Sequence, residues 1–305
     1  MLRAMDSAVA GLRAHQNKLD VISNNIANVN TNGFKAQNYT FKDTMYQTSN
    51  ASAGASDDKD NAVGGTNASQ YGYGSVMGSI SLDMTTGTPS YVGGFNAAID
   101  GSGFFITNVS NAAGDLKTGN YGFTRVGQFN VDSSGNIVNA DRSFVYGYAA
   151  TTGTNAQVTF DTKLAALKVD SSKFPKATGS TADANQNALQ SVEIDNQGTI
   201  KGVTTGGQSV TIGRVAIAMV ENPNGLTKGG SNTFNTKPGD NAGDITAVQP
   251  GGTHPGLMAG YLESSNVDMA KEFSDMITAE RGFQANSKII TVSDEVLQEL
   301  VNMKR

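Results

Sequence analysis

The sequence predicts an α+β protein, with terminal helices paired as a coiled-coil-like inner domain and a mainly β middle domain. Three observations predict it. Apolar residues recur every seven positions at both ends of the chain. Short apolar runs separated by glycine and asparagine turns fill the middle. Gly, Asn, Thr and Ser together make up 120 of 305 residues, a content that favours turns and short strands.

The first 30 residues read as one amphipathic helix. Met5, Leu12, Leu19 and Ile26 are spaced by seven, and Leu2 and Val9 begin a companion series continued by Gln16 and Ser23. This 3-4 alternation places a narrow apolar seam on one helix face, widened by Val21 and Ile22. No Gly or Pro occurs between Leu12 and Thr31, so the natural stop is Asn30-Thr31-Asn32-Gly33, whose Asn-Gly pair tolerates the left-handed conformation.

The last 40 residues repeat the pattern. Met269, Met276, Phe283, Ile290 and Leu297 recur every seven residues, with Phe273 and Val301 in the companion series. Ser265 stands three residues before Asp268, the spacing of a capping box, so a helix is expected from Asp268 to Met303. At ~1.5 Å per residue it is roughly 50 Å long. Gly282 is its weak point, costing ~1 kcal/mol relative to Ala. Neither helix can bury its seam alone. The helices either dock on the middle domain as ordinary core or bury against each other and against copies of the same chain; the second is the sharper expectation.

The middle reads as β-structure. Strands are expected at Gly72–Leu82, on either side of Gly101-Ser102-Gly103, at Val145–Tyr148, Val158–Phe160 and Leu167–Val169. Hairpins are expected at Tyr121–Val138, turning at Ser134-Gly135, and at Val192–Val203, turning at Asn196-Gln197-Gly198. Val210–Val220 is the most apolar run and is expected to be one central strand. Ser49–Ser69, the polar insertion Lys173–Asn187 and the Gly/Pro-rich stretch Lys228–Pro255 are expected to be irregular.

Composition excludes much chemistry. Without Cys there is no disulfide, thiolate nucleophile or Cys-based zinc site. The only histidines are His15, within the helix region, and His254, in a Gly/Pro-rich loop, and nothing orients a nucleophile against either. Asp57, Asp58, Asp60, Asp100, Asp132 and Asp195 fall in turns or loose stretches, where Asp serves local hydrogen bonding. Gly101-Ser102-Gly103 is no dinucleotide loop, because Ile106 stands where a third glycine is needed. A net charge of −5 gives no footprint for nucleic acid, and no apolar run suits membrane insertion. No enzyme activity, catalytic residue, metal or cofactor is expected. Arg3, Asp6, Arg13, His15, Lys18 and Asp20 interrupt the start of the chain, so no cleavable signal peptide is expected either.

Four motifs then carry a resemblance. Asn24-Asn25-Ile26-Ala27-Asn28-Val29-Asn30-Thr31-Asn32-Gly33-Phe34-Lys35 resembles the signature of the bacterial flagellar rod and hook axial proteins. So do Gly260–Asp268 and the stretch Met276–Lys288, and two internal pieces, Gly101–Phe105 and Phe123–Phe129. Within the family, Gly64–Gly74 resembles a segment of hook subunits, which makes a compact hook subunit the first expectation; a distal rod subunit is the alternative.

The resemblance implies a helical homopolymer. Residues 1–33 with 264–305 would form a helical inner-tube domain, 34–85 an extended connection, and 86–263 a β-rich outer wall with a small polar insertion near 151–190. The seam residues Leu2, Met5, Val9, Leu12, Leu19, Ile22, Ile26, Met269, Phe273, Met276, Phe283, Ile290 and Leu297 would pack within and between subunits. Asn24, Asn25, Ala27, Asn28, Gly33, Phe34 and Lys35 are the family-motif positions. The implied partners are further copies of the chain, rod, hook-cap and hook–filament junction proteins, and the flagellar export apparatus. The implied location is the extracellular flagellum, reached without a cleaved signal. A hook would act as a universal joint that passes motor torque while bending.

Overall fold

The computed structural model describes residues 2–55, 64–109, 116, 121–152, 158–169, 189–204 and 209–303. The expected polar insertion Lys173–Asn187 and the acidic residues Asp57, Asp58 and Asp60 lie outside the described residues. The protein is α+β, with one helix at each end and β-structure between them. The chain forms two compact units, one from Met1–Asn28, Ala36–Asp83 and Val267–Arg305, the other from Val29–Lys35 and Met84–Asn266.

The first unit contains α1 (Leu2–Ala27) and α2 (Met269–Asn302). The chain leaves α1 through a turn that ends at Gly33, whose φ of 69° needs the freedom of glycine. At the start of α2 the expected capping box is replaced by a simpler cap. The Asp268 carboxylate itself accepts from the Ala270 and Lys271 amides, at 2.9 and 3.3 Å. A carboxylate there satisfies orphan donors and complements the helix dipole, so Ser265 stays outside the helix. No helix among the described residues is long and apolar enough to cross a membrane.

The same unit carries a two-stranded ribbon. Strands β1 (Gln37–Asp43) and β4 (Ser75–Leu82) pair antiparallel from Gln37↔Leu82 to Asp43↔Ser75, with a bulge at Thr40/Phe41. The ribbon continues as β2 (Tyr46–Asn50) against β3 (Ser69–Gly72), and every residue of these two strands is exposed. Ser49–Ser69, expected to be irregular, therefore begins and ends in paired strand.

The second unit contains β5 (Pro89–Tyr91), β6 (Ala97–Asp100), β7 (Phe104–Asn108), β8 (Tyr121–Thr124), β9 (Phe129–Val131), β10 (Ile137–Asn139), β11 (Phe144–Thr152), β12 (Val158–Phe160) and β13 (Ala165–Ala166). It continues with β14 (Leu189–Ile194), β15 (Thr199–Thr204), β16 (Ser209–Val215), β17 (Ile217–Val220), β18 (Thr227–Gly230), β19 (Thr233–Asn235), β20 (Ile245–Val248), β21 (Gly256–Ala259) and β22 (Tyr261–Glu263). The main sheet runs β14-β15-β16-β11-β7-β8-β19-β18, with antiparallel pairing throughout. Its core gathers Phe105, Phe129, Ile137, Val145, Leu167, Ile200, Val215 and Ile217. β7 is buried along its whole length, Phe104 to Asn108, and so is covered on both faces.

Three expectations need correction here. Val210–Val220 is two strands: β16 pairs with β11 and β15, the chain breaks at Ala216, and β17 pairs with β7 and β20. The strand expected at Leu167–Val169 sits two residues earlier, and Leu167 and Val169 are instead tied to the neighbouring hairpin by amide bonds to Val145 and Gly135. Lys228–Pro255 holds β19, β20 and part of β18, strands of three or four residues too short to show an alternating pattern. Both expected turns are present and alike, but the first hairpin spans only Phe129–Asn139, because Tyr121–Thr124 is a separate strand, β8, paired with β7 and β19. Gly135 and Gly198 have φ of 81° and 73°, and each donates its amide to the carbonyl of an aspartate three residues back, Asp132 or Asp195. The Asp132 carboxylate is fully engaged in this turn, accepting from Ser134 N, Asn136 N and Asn136 Nδ2.

Candidate assembly site

In the helical unit the contact between α1 and α2 keeps the seven-residue period but changes its phase. On α2 the buried or half-buried line is Glu272, Ala279, Asn286 and Ser293; on α1 it is Ala8, His15 and Ile22 with Gly11, Lys18 and Asn25. Ile22 apart, these residues are small or polar. A Cβ on Gly282 would stand 2.5 Å from His15 Cε1, and one on Gly11 would stand 2.8 Å from Asn286 Nδ2. The two glycines are thus reciprocal notches that let the helices approach closely. Gly282, which costs helix propensity, makes room for the His15 ring, itself 5.2 Å from Phe41. Burial, and after it Lys18, lowers the His15 pKa, so the ring packs as the neutral imidazole.

The apolar series is left facing out or at the margin of the contact. Of the residues expected to form or widen the seams, only Val21 and Ile22 are buried among the described residues. Met5, Leu12, Leu19, Ile26, Met276, Ile290 and Leu297 are half-buried, and Val9, Met269, Phe273 and Phe283 are exposed. Leu2 starts α1, but its side chain lies outside the described set. Heptad counting missed Ile277, Ile289, Val292, Val296 and Leu300, all exposed on α2. From Ile289 on their signal is a row at steps of three and four running beside the counted one.

Asn25 is the polar centre of the helical unit. Only 1% exposed, it donates from Nδ2 to Glu272 Oε1 at 3.1 Å and to the Gln37 carbonyl at 2.9 Å, and accepts from the Gln37 amide at 3.0 Å. One side chain so joins α1, α2 and β1. Beside it Lys18 pairs with Asp275 at 3.2 Å. Asn24 accepts from Asn28 Nδ2 through both its carbonyl and its Oδ1, closing the last turn of α1, while Ala27 is exposed.

The Glu272 carboxyl is held above its usual range first by burial, with Asp275 adding to the rise, while the Asn25 hydrogen bond, Lys271 and Lys18 oppose it. The folded unit therefore binds this proton more tightly than the unfolded chain. The stability it contributes is full below the ordinary value of 4.5 and is lost as pH rises through the folded pKa. Glu272→Gln, which keeps an acceptor for Asn25, is expected to raise the helical melting temperature at pH 7, with a gain that vanishes below about pH 4.5. Circular dichroism at 222 nm measures it; a variant less stable than the parent at pH 7 contradicts the argument.

In the β unit three of the motif segments converge on one buried carboxylate. Glu263 Oε1 accepts from Lys35 Nζ at 2.6 Å and from the Gly87 amide at 2.9 Å, and Oε2 accepts from Arg125 NH1 at 3.3 Å. All three charged side chains are 3% exposed or less. Lys35 Nζ also donates to the Thr85 carbonyl at 2.6 Å, and Asn266 Nδ2 donates to Thr85 Oγ1 at 3.1 Å. Burial pulls the Arg125 guanidinium below its usual pKa, and Glu263 acts against that pull. Arg125 also lies 5.5 Å over the Phe104 ring, and Lys228 lies 4.7 Å over Phe34, which is itself buried. Gly33 donates to the Glu263 carbonyl at 2.8 Å, which seats the Gly33-Phe34-Lys35 turn on the end of β22.

Comparison with known proteins places these features. Three family models match: Flagella basal body rod protein over residues 5–35, Flagellar hook protein FlgE/F/G D1 domain over 98–202, and Flagellar basal body rod FlgEFG protein C-terminal over 258–303. The chain is 39% identical over 310 aligned positions to the flagellar basal-body rod protein FlgG of Bacillus subtilis, covering 100% of both chains. It is 31% identical to FlgG of Caulobacter vibrioides, covering 97% of each. It is 27% identical to the flagellar hook protein FlgE of Borreliella burgdorferi, an alignment that needs 456 positions to cover both chains. Helices at both ends, a β middle, and motif residues that meet around Asn25 and Glu263 agree with these matches: the chain belongs to the flagellar rod and hook axial protein family, whose members are structural proteins and not enzymes.

Proposed function

We propose that this protein is a distal rod subunit of the bacterial flagellar basal body, which self-assembles into a straight helical tube that works as a drive shaft. One observation carries the choice between rod and hook. The FlgG alignment accommodates the 305-residue chain in 310 positions, whereas the FlgE alignment stretches to 456. This supports the rod subunit over the hook subunit expected from Gly64–Gly74.

Self-assembly through the terminal helices is supported by the bulky residues that α2 leaves uncovered. Contact between two different surfaces of neighbouring copies does not close on itself and so builds an open helix. The partners are further copies of the chain and the adjoining rod and hook subunits. Export through the flagellar apparatus belongs to the same proposal.

Electron microscopy of purified polymer tests it. Straight hollow tubes are expected, and curved tubes would return the assignment to the hook. Leu12→Asp or Ile290→Asp is expected to abolish polymerisation while the β unit stays folded. Limited proteolysis of monomer is expected to trim roughly residues 1–30 and 265–305, which polymer protects. Equal resistance in both forms would sink the role given to the termini.

A further inference from the structure

Within the helical unit, α1 and β4 enclose a groove of about 310 Å³ lined by Ala10, Arg13, Ala14, Asn17, Val76 and Met77. The four α1 residues fall at i, i+3, i+4 and i+7, one face of the helix, and two of them are alanines. Val76 and Met77 form the β4 wall and are 41% and 48% exposed. The floor is thus shallow and apolar, and its rim carries one exposed cation, Arg13.

The opposite relief stands elsewhere in the unit. Met269, Phe273 and Ile277 form a row along α2 at steps of four, and Glu280 continues it three residues on. Phe273 and Ile277 are 46% and 59% exposed, and Glu280 is exposed. The row lies on a face of α2 other than the Glu272–Ala279–Asn286–Ser293 line that meets α1. One copy can therefore present both row and groove at once.

We infer that the Phe273–Ile277 row of one copy seats in the Ala10–Ala14/Val76–Met77 groove of a second copy, with Glu280 against Arg13. Bulky side chains face a floor of small ones, and the single carboxylate of the row meets the single guanidinium of the rim. Burying an aromatic and a branched aliphatic side chain supplies the apolar drive, and the charge pair selects register and direction more than it adds affinity. Row and groove are unlike surfaces, so the contact is heterologous and each added copy exposes a fresh site. The inference rests on the self-assembly proposed above and names the residues that perform it.

The absence of cysteine makes the test clean. Met77→Cys and Ile277→Cys place thiols on the groove wall and on the row, at exposed positions that tolerate substitution. After assembly and mild oxidation, the double variant is expected to run as a ladder of covalent oligomers on a denaturing gel. A mixture of the two single variants is expected to give dimers and no ladder, and each single variant alone is expected to give monomers. Tubes that form in the microscope but yield no cross-link overturn the docking while leaving self-assembly intact. Cross-linking within either single variant alone overturns it as well, because that reports a like-to-like contact. A parent chain that stays monomeric at every concentration removes both the docking and the self-assembly beneath it. Charge exchange gives a second reading: Arg13→Glu and Glu280→Arg are each expected to raise the critical concentration about five-fold, and the two together to restore it to within about two-fold.

Discussion

Glu263→Gln is expected to destabilise the β unit by about 3–5 kcal/mol, the cost of leaving buried charge without its counter-ion. The parent carboxylate accepts from Lys35, Arg125 and the Gly87 amide in a site from which water is almost entirely excluded. A neutral amide can still accept hydrogen bonds, but it cannot offset the charge on the two cations. The test is urea unfolding followed by circular dichroism and tyrosine fluorescence, since the chain has nine Tyr and no Trp. A loss below about 1 kcal/mol would show that the cluster is solvated in solution. The companion experiment replaces all three charges with apolar residues of similar bulk, as in Lys35→Met, Arg125→Met, Glu263→Leu. That variant is expected to recover most of the loss, because a buried ion cluster is worth little more than the apolar packing that can replace it. The cluster's value then lies in specifying which segments meet.

Gly127→Ala is expected to cost about 3 kcal/mol, the upper end of overpacking penalties. A Cβ at this position would overlap the Ala97 carbonyl oxygen and stand 2.8 Å from Phe105 Cε2. The Ala97 amide donates to the Gly127 carbonyl at 2.9 Å, so the two backbones are held together at the point where the methyl would intrude. Neither neighbour can move cheaply, since Ala97 and Phe105 are both fully buried. Gly54→Ala is the matched control, because nothing stands within 4 Å of a Cβ there, and it is expected to be silent. Equal stability of the two variants would mean that the 125–128 segment packs more loosely than the contacts imply.

Much of the fold is legible in the residues, for identifiable reasons. The seven-residue period places both helices, with α1 ending about three residues earlier than expected, since a long sequence without breakers and with a regular apolar repeat has few other solutions. The Asp-x-x-Gly turns place two hairpins because the φ of 81° at Gly135 and 73° at Gly198 suits glycine. The phase of the helix contact was not legible. Apolarity marks Met269, Phe273 and Phe283, whereas the contact uses Ala279, Gly282 and Asn286, and close approach is a matter of size that hydrophobic counting ignores. The partner switch at Ala216 was hidden because an apolar run looks the same whether it feeds one sheet edge or two. The charge cluster was half visible. Lys35 stands between Phe34 and Ala36 as the lone charge of its motif, and Glu263 follows Leu262. Their meeting across 228 positions of chain could be learned only from the structure.

The charge cluster has a mechanical consequence. The chain passes from one unit to the other after Asn28, Lys35, Asp83 and Asn266. Lys35, Thr85 and Asn266 stand at or within two residues of three of these passages, and Thr85 is hydrogen-bonded to both of the others. Tension carried along any of these three passages is therefore delivered to one knot anchored on Glu263, and is shared before it reaches the sheet. Slack at one passage is limited by the grip on the others. Such a knot acts as a strain relief, sparing the short strands of the β unit from being peeled one at a time.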